Sequence, residues 1–448
     1  MAEAKTVAFH TLGCKLNFSE TSAISRLLEA EGFEKKDFTD KADVYVINTC
    51  SVTDNADKEC RQIIRSILRN NPETYVIVTG CYAQLQPGEI AGIEGVDLIL
   101  GSKEKLRLFE YLEDVENPSC IFKEPESKIF VSEVGNKDDE IKGAFSADID
   151  SRTRAFLKIQ DGCDYGCSFC TIPMARGVSR SLPLNEVIDN AKKIIDSGYK
   201  EIILTGVNTG DYRYITNNKT NKLIDVLLEL EKLEIERIRI SSIEPNLLTD
   251  EIISLVKSSD KICNHFHIPL QSGDANILKL MRRRYNLNFF RELIEKVNIE
   301  IPDVGIGVDV IIGFPGETDE NFRNTYEFLN ALQISYLHVF SYSERKNTLA
   351  VSMPGKVDIQ KRKQRSEILR NLSSKKKYDF YSRFIGTEQK ILFENKVMNS
   401  GDRKFIEGWT NNYIRVRINN DINLQNGITK VILNNLNGIK SVESLLIN

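Results

Sequence analysis

Residues 154–170 read RAFLKIQDGCDYGCSFC and hold three cysteines within eight positions, in the spacing C-x3-C-x2-C. The apolar run 155–160 predicts a β-strand, and the cysteines follow its carboxyl end, where the active sites of parallel β/α barrels lie. Three thiolates can hold three irons of a 4Fe–4S cluster and leave the fourth iron open to a substrate. A zinc site is the alternative, but Cys163, Cys167 and Cys170 have no fourth Cys or His nearby in sequence.

Strand and helix patterns alternate along the chain that follows these cysteines. Five more short apolar runs occur there, and an amphipathic helical segment precedes each of them. Six βα units are too few for an eight-fold barrel, so the pattern predicts a partial, six-stranded parallel β/α barrel; a closed barrel that borrows strands from elsewhere is the alternative. We assign this core to residues 151–383. The five runs are residues 201–206, 237–243, 262–270, 304–312 and 336–341.

Different patterns flank the core on its two sides. Residues 1–124 alternate strand and helix patterns and predict a doubly wound parallel sheet. Residues 125–150 are polar and acidic and predict a linker. Residues 384–448 contain short alternating strands between Gly and Asn turns, which predict a small antiparallel β-barrel. The predicted fold class is therefore α/β with a small β-barrel at its end.

A second set of cysteines is spread through the N-terminal segment. Cys14, Cys50 and Cys81 are 36 and 31 residues apart, yet each follows the carboxyl end of a predicted parallel strand, in HTLGC, VINTC and VTGC. Because those ends meet at one edge of a doubly wound sheet, we expect the three thiols to share a site. A buried strand-end cysteine is the alternative for each one alone. The remaining cysteines are assigned to packing or to the surface: Cys60, Cys120 and Cys263.

The composition is that of an ordinary globular protein. Hydrophobic residues make up 41% of the chain and charged residues 28%. No apolar run approaches the roughly 20 residues of a membrane span, and the N-terminus lacks the pattern of a secretory signal. We therefore expect a cytoplasmic protein, in which nine cysteines serve metal binding or catalysis and not a disulfide framework.

The charge is distributed unevenly along the chain. The whole sequence carries a net charge of -4, whereas Lys and Arg exceed Asp and Glu by seven in residues 356–383 and by two in residues 384–448. A basic C-terminal segment on an acidic body predicts a surface for a polyanion. A solvated helix with one charged face is the alternative.

Together, the two cysteine triplets resemble those of the methylthiotransferases of the radical S-adenosylmethionine superfamily, along essentially the whole chain. The stretches TLGCKLN, NTCSVTDNAD, TGCYAQ and LTGVNTGDY are similar to the tRNA enzymes that act on N6-threonylcarbamoyladenosine. The isopentenyladenosine enzymes tend to read TYGCQMN and LGQNVNSY at those places. The enzymes that modify an aspartate of a ribosomal protein tend to read SLGCPKN.

The resemblance implies three domains and two 4Fe–4S clusters. Residues 1–124 would form the methylthiotransferase domain and residues 384–448 an RNA-binding TRAM domain. One S-adenosylmethionine would donate a methyl group and a second would supply a radical, which places a methylthio group on C2 of N6-threonylcarbamoyladenosine at position 37, beside the anticodon. Alternatives are isopentenyladenosine in tRNA, a ribosomal protein aspartate, or an RNA-binding protein with structural metal sites.

The resemblance also implies roles for individual side chains. The clusters would be held by Cys163, Cys167 and Cys170 and by Cys14, Cys50 and Cys81. S-adenosylmethionine would contact Phe169, the residue before Cys170 in the cysteine loop, and five strand-end residues of the barrel, although packing or turn roles remain the alternative for each: Thr205, Gly206, Ser242, Glu244 and Gln271. The strand residues His265 and His267 are interpreted as satisfied histidines and not as ligands.

The implied partners are a tRNA anticodon stem-loop and a reductase that donates electrons, and we expect a monomer. Phosphate contacts are predicted for two basic clusters, residues 282–284 and a segment that contains Lys361, Arg362, Lys363, Arg365 and residues 375–377. In the last domain, Trp409, Tyr413, Arg415 and Arg417 form a mixture that stacks on unpaired bases in RNA-binding proteins. Trp409 as the anchor of that small core is the alternative.

Overall fold

The computed structural model describes residues 5–112, 123, 126–136, 139, 141–146, 153–216, 219–400, 403–419, 424–438 and 441–446. Cys120 and parts of the predicted linker lie outside these residues. No helix in the described ranges is long and apolar enough to cross a membrane.

The N-terminal sheet has six parallel strands in the order β2-β1-β3-β4-β5-β6, which confirms the predicted doubly wound sheet. Its central strands are apolar because helices cover both faces. The sequence patterns miss two strands, of two and three residues, because these carry exposed side chains. The strands are β1 Thr6–Thr11, β2 Glu34–Lys35, β3 Val44–Thr49, β4 Tyr75–Gly80, β5 Leu98–Leu100 and β6 Lys128–Phe130; the helices are α1 Lys15–Ala30, α2 Asp54–Asn70, α3 Cys81–Leu85 and α4 Pro87–Ala91.

The segment predicted as a linker, residues 125–150, is partly structured. Strand β6 lies in it and extends the N-terminal sheet beyond residue 124. Farther along, the backbone of Ser146 donates to the carbonyl of Phe156 (2.9 Å), and Lys158 donates to the carbonyl of Ala144 (2.9 Å). Its polar composition does not reveal this because backbone pairing supplies the contacts.

The core is the predicted six-stranded partial barrel. Strands β7, β10 and β13 form one parallel group and β14, β15 and β16 another, and parallel bridges such as Ser242 with His267 join the two. The strands are β7 Arg154–Lys158, β8 Gln160–Asp161, β9 Arg180–Ser181, β10 Glu201–Thr205, β11 Arg213–Thr216, β12 Lys219–Lys222, β13 Arg237–Ile240, β14 His265–His267, β15 Gly305–Ile312 and β16 Tyr336–Ser341. The helices are α5 Ile172–Arg176, α6 Leu184–Asp196, α7 Leu223–Glu231, α8 Asp250–Ser258, α9 Ala275–Leu280, α10 Leu287–Glu300, α11 Asp319–Ala331 and α12 Ile359–Ser382.

The C-terminal barrel is closed but not fully antiparallel, so the predicted antiparallel topology is wrong in one place. The strand order is β17-β18-β19-β21-β20, and β19 pairs with β21 in parallel. A closed ring of five strands cannot alternate in direction all the way round. The strands are β17 Glu388–Ser400, β18 Arg403–Trp409, β19 Arg415–Asn419, β20 Ile428–Asn437 and β21 Ser441–Leu446. That this barrel is a TRAM domain stays a prediction.

The two flanking domains pack at opposite ends of the core strands. The C-terminal barrel contacts the starts of these strands: Arg237 donates to the carbonyl of Trp409 (2.8 Å), and Asn412 donates to the carbonyl of Asp303 (2.9 Å). The N-terminal domain covers the carboxyl ends, where Arg345 pairs with Asp57. The carboxyl ends of both parallel sheets therefore face each other.

Candidate active site

The first cysteine triplet lies on a loop between β8 and α5, at the carboxyl end of β7. The loop turns at Gly162, which has a φ of +72°. A Cβ at this position would lie only 2.0 Å from the carbonyl oxygen of Val178, so only glycine fits here. Backbone amides point at two of the sulfurs: Tyr165 N–H donates to Cys163 Sγ (3.4 Å), and Ile172 N–H donates to Cys170 Sγ (3.4 Å). Such donors stabilise a thiolate.

The third sulfur is contacted by Arg283, a residue that the sequence analysis places in an RNA-binding cluster. Its guanidinium donates to Cys167 Sγ (3.0 Å) and forms an ion pair with Glu244. The side chain is 3% exposed, so it is not available to phosphate. Glu244, a predicted S-adenosylmethionine contact, is thus paired with this arginine. The sequence alone does not indicate which of the three consecutive arginines, residues 282–284, points toward the cysteine loop.

The second triplet meets at one sheet edge, as expected from strand phase. Cys14 precedes α1, Cys50 follows β3, and Cys81 begins α3 directly after β4. A Cβ on Gly13 would lie 2.6 Å from Cys50 Cβ and 2.9 Å from its Sγ, so glycine is needed for the two loops to approach. Burial raises the pKa of the Cys50 thiol to about 12, and the neighbouring thiol of Cys81 acts in the same direction.

The three thiols of each triplet are not close enough together to surround a single tetrahedral ion. Zinc with bonds of about 2.3 Å would bring its sulfur ligands within roughly 3.8 Å of one another. In the described part of the chain, neither triplet has its three sulfurs within 4.8 Å. In addition, burial raises the pKa of Cys163 to about 11 and that of Cys170 to about 12, a cost that iron would offset by binding the thiolates. Both sets of residues therefore fit the implied clusters.

A cavity of about 230 Å³ opens beside Cys170 of the core triplet and is shared by residues of the N-terminal domain. One wall comes from Val52 and Thr53, just after Cys50, and another from Phe169 and Cys170. The inner walls carry both polar and apolar groups: Gln271, Asp309, Ile311, Phe340 and Tyr342. Flat apolar side chains with a few polar groups suit a planar base.

The predicted cofactor residues differ in how they are placed. Phe169 and Gln271 line the cavity, and Gln271 has a φ of 71°, a left-handed conformation that is uncommon for glutamine. Thr205 is buried at the end of β10, and its hydroxyl has no hydrogen-bond partner among the described residues. A Cβ on Gly206 would lie 2.7 Å from Gln160 Oε1. Ser242 accepts from the Thr209 hydroxyl through its carbonyl (2.7 Å), a packing contact. The roles of these residues toward a cofactor stay predictions.

A buried ion network joins the N-terminal domain to the core behind this cavity. Glu20 on α1 is 0% exposed and accepts from Lys105 (2.6 Å), Lys158 (3.0 Å) and Arg176 (3.0 and 3.1 Å). Arg176 and Lys158 also pair with Asp161, at 3.0 and 2.7 Å. Although burial alone would raise the pKa of Glu20, the three cations hold it well below its ordinary value.

Polar side chains also fill the interior of the partial barrel. His267 Nε2 lies 2.8 Å from Asp309 Oδ1, and His338 Nδ1 lies 3.3 Å from the same oxygen. Burial, with Arg154 and Arg239, lowers the pKa of Lys15, the residue directly after Cys14, to about 8. His267 is hydrogen-bonded as predicted, whereas the sequence pattern indicates no role for Asp309, His338 or Lys15.

The aromatic residues that were expected to stack on RNA bases are partly exposed and contact one another and the core. Trp409 stacks on Tyr413 with ring centroids 4.5 Å apart, and Tyr413 stacks on His265 of the core at 4.5 Å. The indole nitrogen donates to Glu394 (2.8 Å). Trp409 therefore anchors the C-terminal barrel to the core. The accompanying arginines are engaged within the barrel, Arg415 by Glu407 and Arg417 by the ring of Phe405.

The basic segment 356–383 is mostly helix α12, and only part of it is free to bind phosphate. Arg362 pairs with Glu344 (2.6 Å) and Arg365 with Glu317 (2.6 Å), and both arginines are buried. The other members are divided: Lys361 pairs with Asp319, Lys376 donates to the carbonyls of Asn330 and Leu332, Lys377 lies over Tyr381, and Lys363 and Lys375 are exposed.

Two family models match the chain. Residues 157–329 match the Radical SAM superfamily, and residues 6–101 match the uncharacterized protein family UPF0004. The chain is 42% identical to the threonylcarbamoyladenosine tRNA methylthiotransferase MtaB of Bacillus subtilis, over 92% of this chain and 90% of the relative. The MtaB of Thermotoga maritima is 34% identical over 92% and 91%. The tRNA-2-methylthio-N(6)-dimethylallyladenosine synthase of Clostridium tetani is 31% identical over 95% and 92%.

Solved structures with the same fold are more distant in sequence. The radical S-adenosylmethionine methyltransferase TsrM of Kitasatospora setae gives a TM-score of 0.52 at 15% identity, over 78% of this chain and 77% of that one. The cobalamin-dependent S-adenosylmethionine radical enzyme OxsB gives 0.51 at 16% identity, over 85% and 56%.

Proposed function

The chain belongs to the radical S-adenosylmethionine tRNA methylthiotransferases, and from this premise we propose that it attaches a methylthio group to C2 of N6-threonylcarbamoyladenosine at position 37 of tRNA. The resemblance inferred from the motifs is thereby confirmed. The observation that carries the proposal is a cavity lined by Cys170 of the core triplet and by Val52 and Thr53, which closely follow Cys50 of the N-terminal triplet. The relatives whose names specify threonylcarbamoyladenosine are also more similar to this chain than the dimethylallyladenosine synthase of Clostridium tetani.

Each triplet would hold one 4Fe–4S cluster, Cys163, Cys167 and Cys170 in the core and Cys14, Cys50 and Cys81 in the N-terminal domain. When bound, the clusters and S-adenosylmethionine supply the radical and the sulfur transfer that an unactivated aromatic C–H bond requires. The chain itself contributes donors to the sulfurs, from two backbone amides and Arg283. The apolar cavity walls would hold the base between the triplets and keep water out.

The remaining contacts follow from this function. The substrate would be the anticodon stem-loop of a tRNA, electrons would come from a reductase, and the enzyme would act as a monomer in the cytoplasm, where tRNA is modified. Phe169 and Gln271 would contact S-adenosylmethionine or the base, since both line the cavity. Exposed Lys363 and Lys375 would be available to RNA phosphates.

A second candidate substrate is dimethylallyladenosine at the same tRNA position, because the Clostridium tetani relative of that name covers 95% of the chain at 31% identity. Nucleosides from tRNA of a deletion strain and of a complemented strain, separated by mass spectrometry, distinguish the two. We expect the methylthio form of threonylcarbamoyladenosine to return on complementation. Return of the methylthio form of dimethylallyladenosine alone would show that the substrate is wrong.

Cysteine variants test whether the two triplets have separate roles. The reconstituted enzyme should contain about eight irons per chain, and Cys81→Ala or Cys170→Ala should each lose about half. Cys81→Ala should still form 5′-deoxyadenosine but no methylthio product, whereas Cys170→Ala should form neither. Cys60→Ala, at a buried cysteine of α2, is the matched control and should behave as wild type. Loss of deoxyadenosine in Cys81→Ala would contradict separate roles, and bound zinc without sulfide would contradict the clusters.

A further inference from the structure

His338 lies on β16, beside the cavity that opens next to Cys170. It pairs in register with Asp309 of β15, and Asp309 lines this cavity. Phe340, two positions farther along β16, also lines the cavity. Because residues two apart in a strand point to the same face, His338 points to the cavity side of β16, at the depth of Asp309.

Two of the three imidazoles in the barrel interior are already engaged. His265 Nε2 lies 2.9 Å from the Tyr336 hydroxyl, and His267 Nε2 lies 2.8 Å from Asp309 Oδ1. The third, His338, has Nδ1 3.3 Å from the same Asp309 oxygen. Its side chain is 52% exposed, against 10% for His267, and no residue in the described part of the chain hydrogen-bonds to its Nε2. One ring nitrogen of His338 is therefore open to a ligand.

The carboxylate of Asp309 orients this ring and selects its tautomer. An ionised carboxylate only accepts hydrogen bonds, so the ring nitrogen that faces it, Nδ1, carries a proton. Neutral His338 then presents Nε2 as an acceptor for a hydroxyl or N–H group, and protonated His338 presents Nε2–H as a donor to a carboxylate. Both forms bind a polar group, and neither gains a hydrogen bond from a hydrocarbon group.

The proposed substrate carries a matching polar group. In adenine, C2 and C6 are separated only by N1, so the substituent on N6 lies beside the carbon that receives the sulfur. The threonylcarbamoyl substituent ends in a hydroxyl and a carboxylate, whereas the dimethylallyl substituent is a hydrocarbon. The side chains of Ile311 and Phe340 in the cavity suit the base, and the pair of Asp309 and His338 is a polar group next to them.

We propose that His338 is a specificity-determining residue and that its Nε2 binds the polar end of the threonylcarbamoyl substituent. The inference rests on the proposed function and names the part of the substrate that this residue recognises. Discrimination of this kind is strong, because a site built to hydrogen-bond a polar group leaves its own polar atoms unpaired when the ligand lacks that group.

The experiment compares two substrates that differ only in the substituent on N6. The same tRNA, carrying either N6-threonylcarbamoyladenosine or N6-dimethylallyladenosine at position 37, is given to the reconstituted full-length enzyme, and the methylthio nucleoside is measured by mass spectrometry. Wild type should prefer the threonylcarbamoyl substrate. In His338→Phe, which keeps a ring but has no nitrogen, that preference in kcat/KM should fall by roughly 10- to 100-fold, through slower reaction with the threonylcarbamoyl substrate alone. His338→Gln, whose amide can reach the position of Nε2, should retain most of the preference.

Controls separate substrate recognition from damage to the enzyme. His338→Phe should keep the iron content and the 5′-deoxyadenosine formation of wild type. His10→Phe makes the same substitution on β1 of the N-terminal domain, where the ring packs on Phe38 with centroids 4.5 Å apart, and should keep the wild-type preference. A preference that survives in His338→Phe, equal losses on both substrates, or loss of iron would overturn the role of His338 alone. Wild-type enzyme that modifies neither substrate, or that prefers the dimethylallyl substrate, would refute the proposed function and with it the inference.

Discussion

Replacing Glu20 with glutamine removes one negative charge from the interface between the N-terminal domain and the core while preserving the shape of the side chain. The buried group contains Lys105, Lys158 and Arg176 with the carboxylates of Glu20 and Asp161, a net charge of +1. In the variant, three cations share one carboxylate, and the net charge becomes +2. Removing one partner of a buried ion pair costs about 3–5 kcal/mol.

The assay is hydrogen exchange of backbone amides in α1 and α5, which lie on the two sides of this interface. Since 1.4 kcal/mol corresponds to a factor of ten, we expect amides that exchange by undocking to exchange roughly 100- to 4,000-fold faster in Glu20→Gln. Glu31→Gln, at an exposed residue that follows α1, is the control and should match wild type. Equal exchange in Glu20→Gln and Glu31→Gln would refute the argument that this network holds the domains together.

The contribution of Glu20 to the docking of the N-terminal domain on the core should decrease at low pH. The surrounding cations depress the pKa of Glu20 in the folded state below its ordinary value of 4.5, even though burial acts in the opposite direction. The stabilisation is therefore fully present above about pH 4.5 and is lost as the pH falls toward the depressed pKa. Below pH 4.5, the difference in exchange between wild type and Glu20→Gln should narrow.

Two further variants test the loop and the arginine of the core triplet. Arg283→Gln should shift the reduction potential of the core cluster to more negative values, because it removes a donor and a positive charge from a ligand sulfur. Redox titration followed by electron paramagnetic resonance measures the potential, and Arg282→Gln, at an exposed arginine, is the control. No shift would contradict the contact. Gly162→Ala should cost more than the about 1–2 kcal/mol of a left-handed alanine, because its Cβ would meet a carbonyl oxygen at 2.0 Å. Gly32→Ala, at φ +86° with open space around it, should show the backbone cost alone in thermal unfolding, and equal losses would contradict the steric clash.

The sequence predicts the parts of this protein that depend on periodicity and on strand phase. The six core strands and the convergence of Cys14, Cys50 and Cys81 follow from apolar runs and from the common edge of a parallel sheet. Strands of two or three residues, such as β2 and β6, are too short to show an alternation of apolar and polar residues, so the sequence does not predict them. The inward turn of Arg283 depends on tertiary packing that a run of three arginines does not encode.

The distribution of charged residues along the sequence led to an incorrect prediction for part of the basic segment. A run rich in Lys and Arg predicts an exposed basic surface. In the structure, however, Arg362 and Arg365 form ion pairs with the carboxylates of Glu344 and Glu317, which lie 18 and 48 residues away in the chain. The composition of a short stretch of sequence gives no information on acidic partners so far away in the chain. The stacking of Trp409 and Tyr413 on His265 is also not visible in local sequence, because the first two rings belong to the last domain and the third belongs to the core.

The position of the cavity explains why so many charges are buried at one interface. Each cysteine triplet belongs to a different domain, so the space between them exists only while the N-terminal domain is docked on the carboxyl ends of the core strands. An apolar interface of the same area would tolerate small rotations, whereas the paired geometry of Glu20 with Arg176 accepts one orientation. A base held between two clusters requires that orientation to be reproducible, because a misplacement of about 1 Å can cost on the order of 100-fold in rate. We therefore expect the ion network to support catalysis by holding the two triplets at a constant distance.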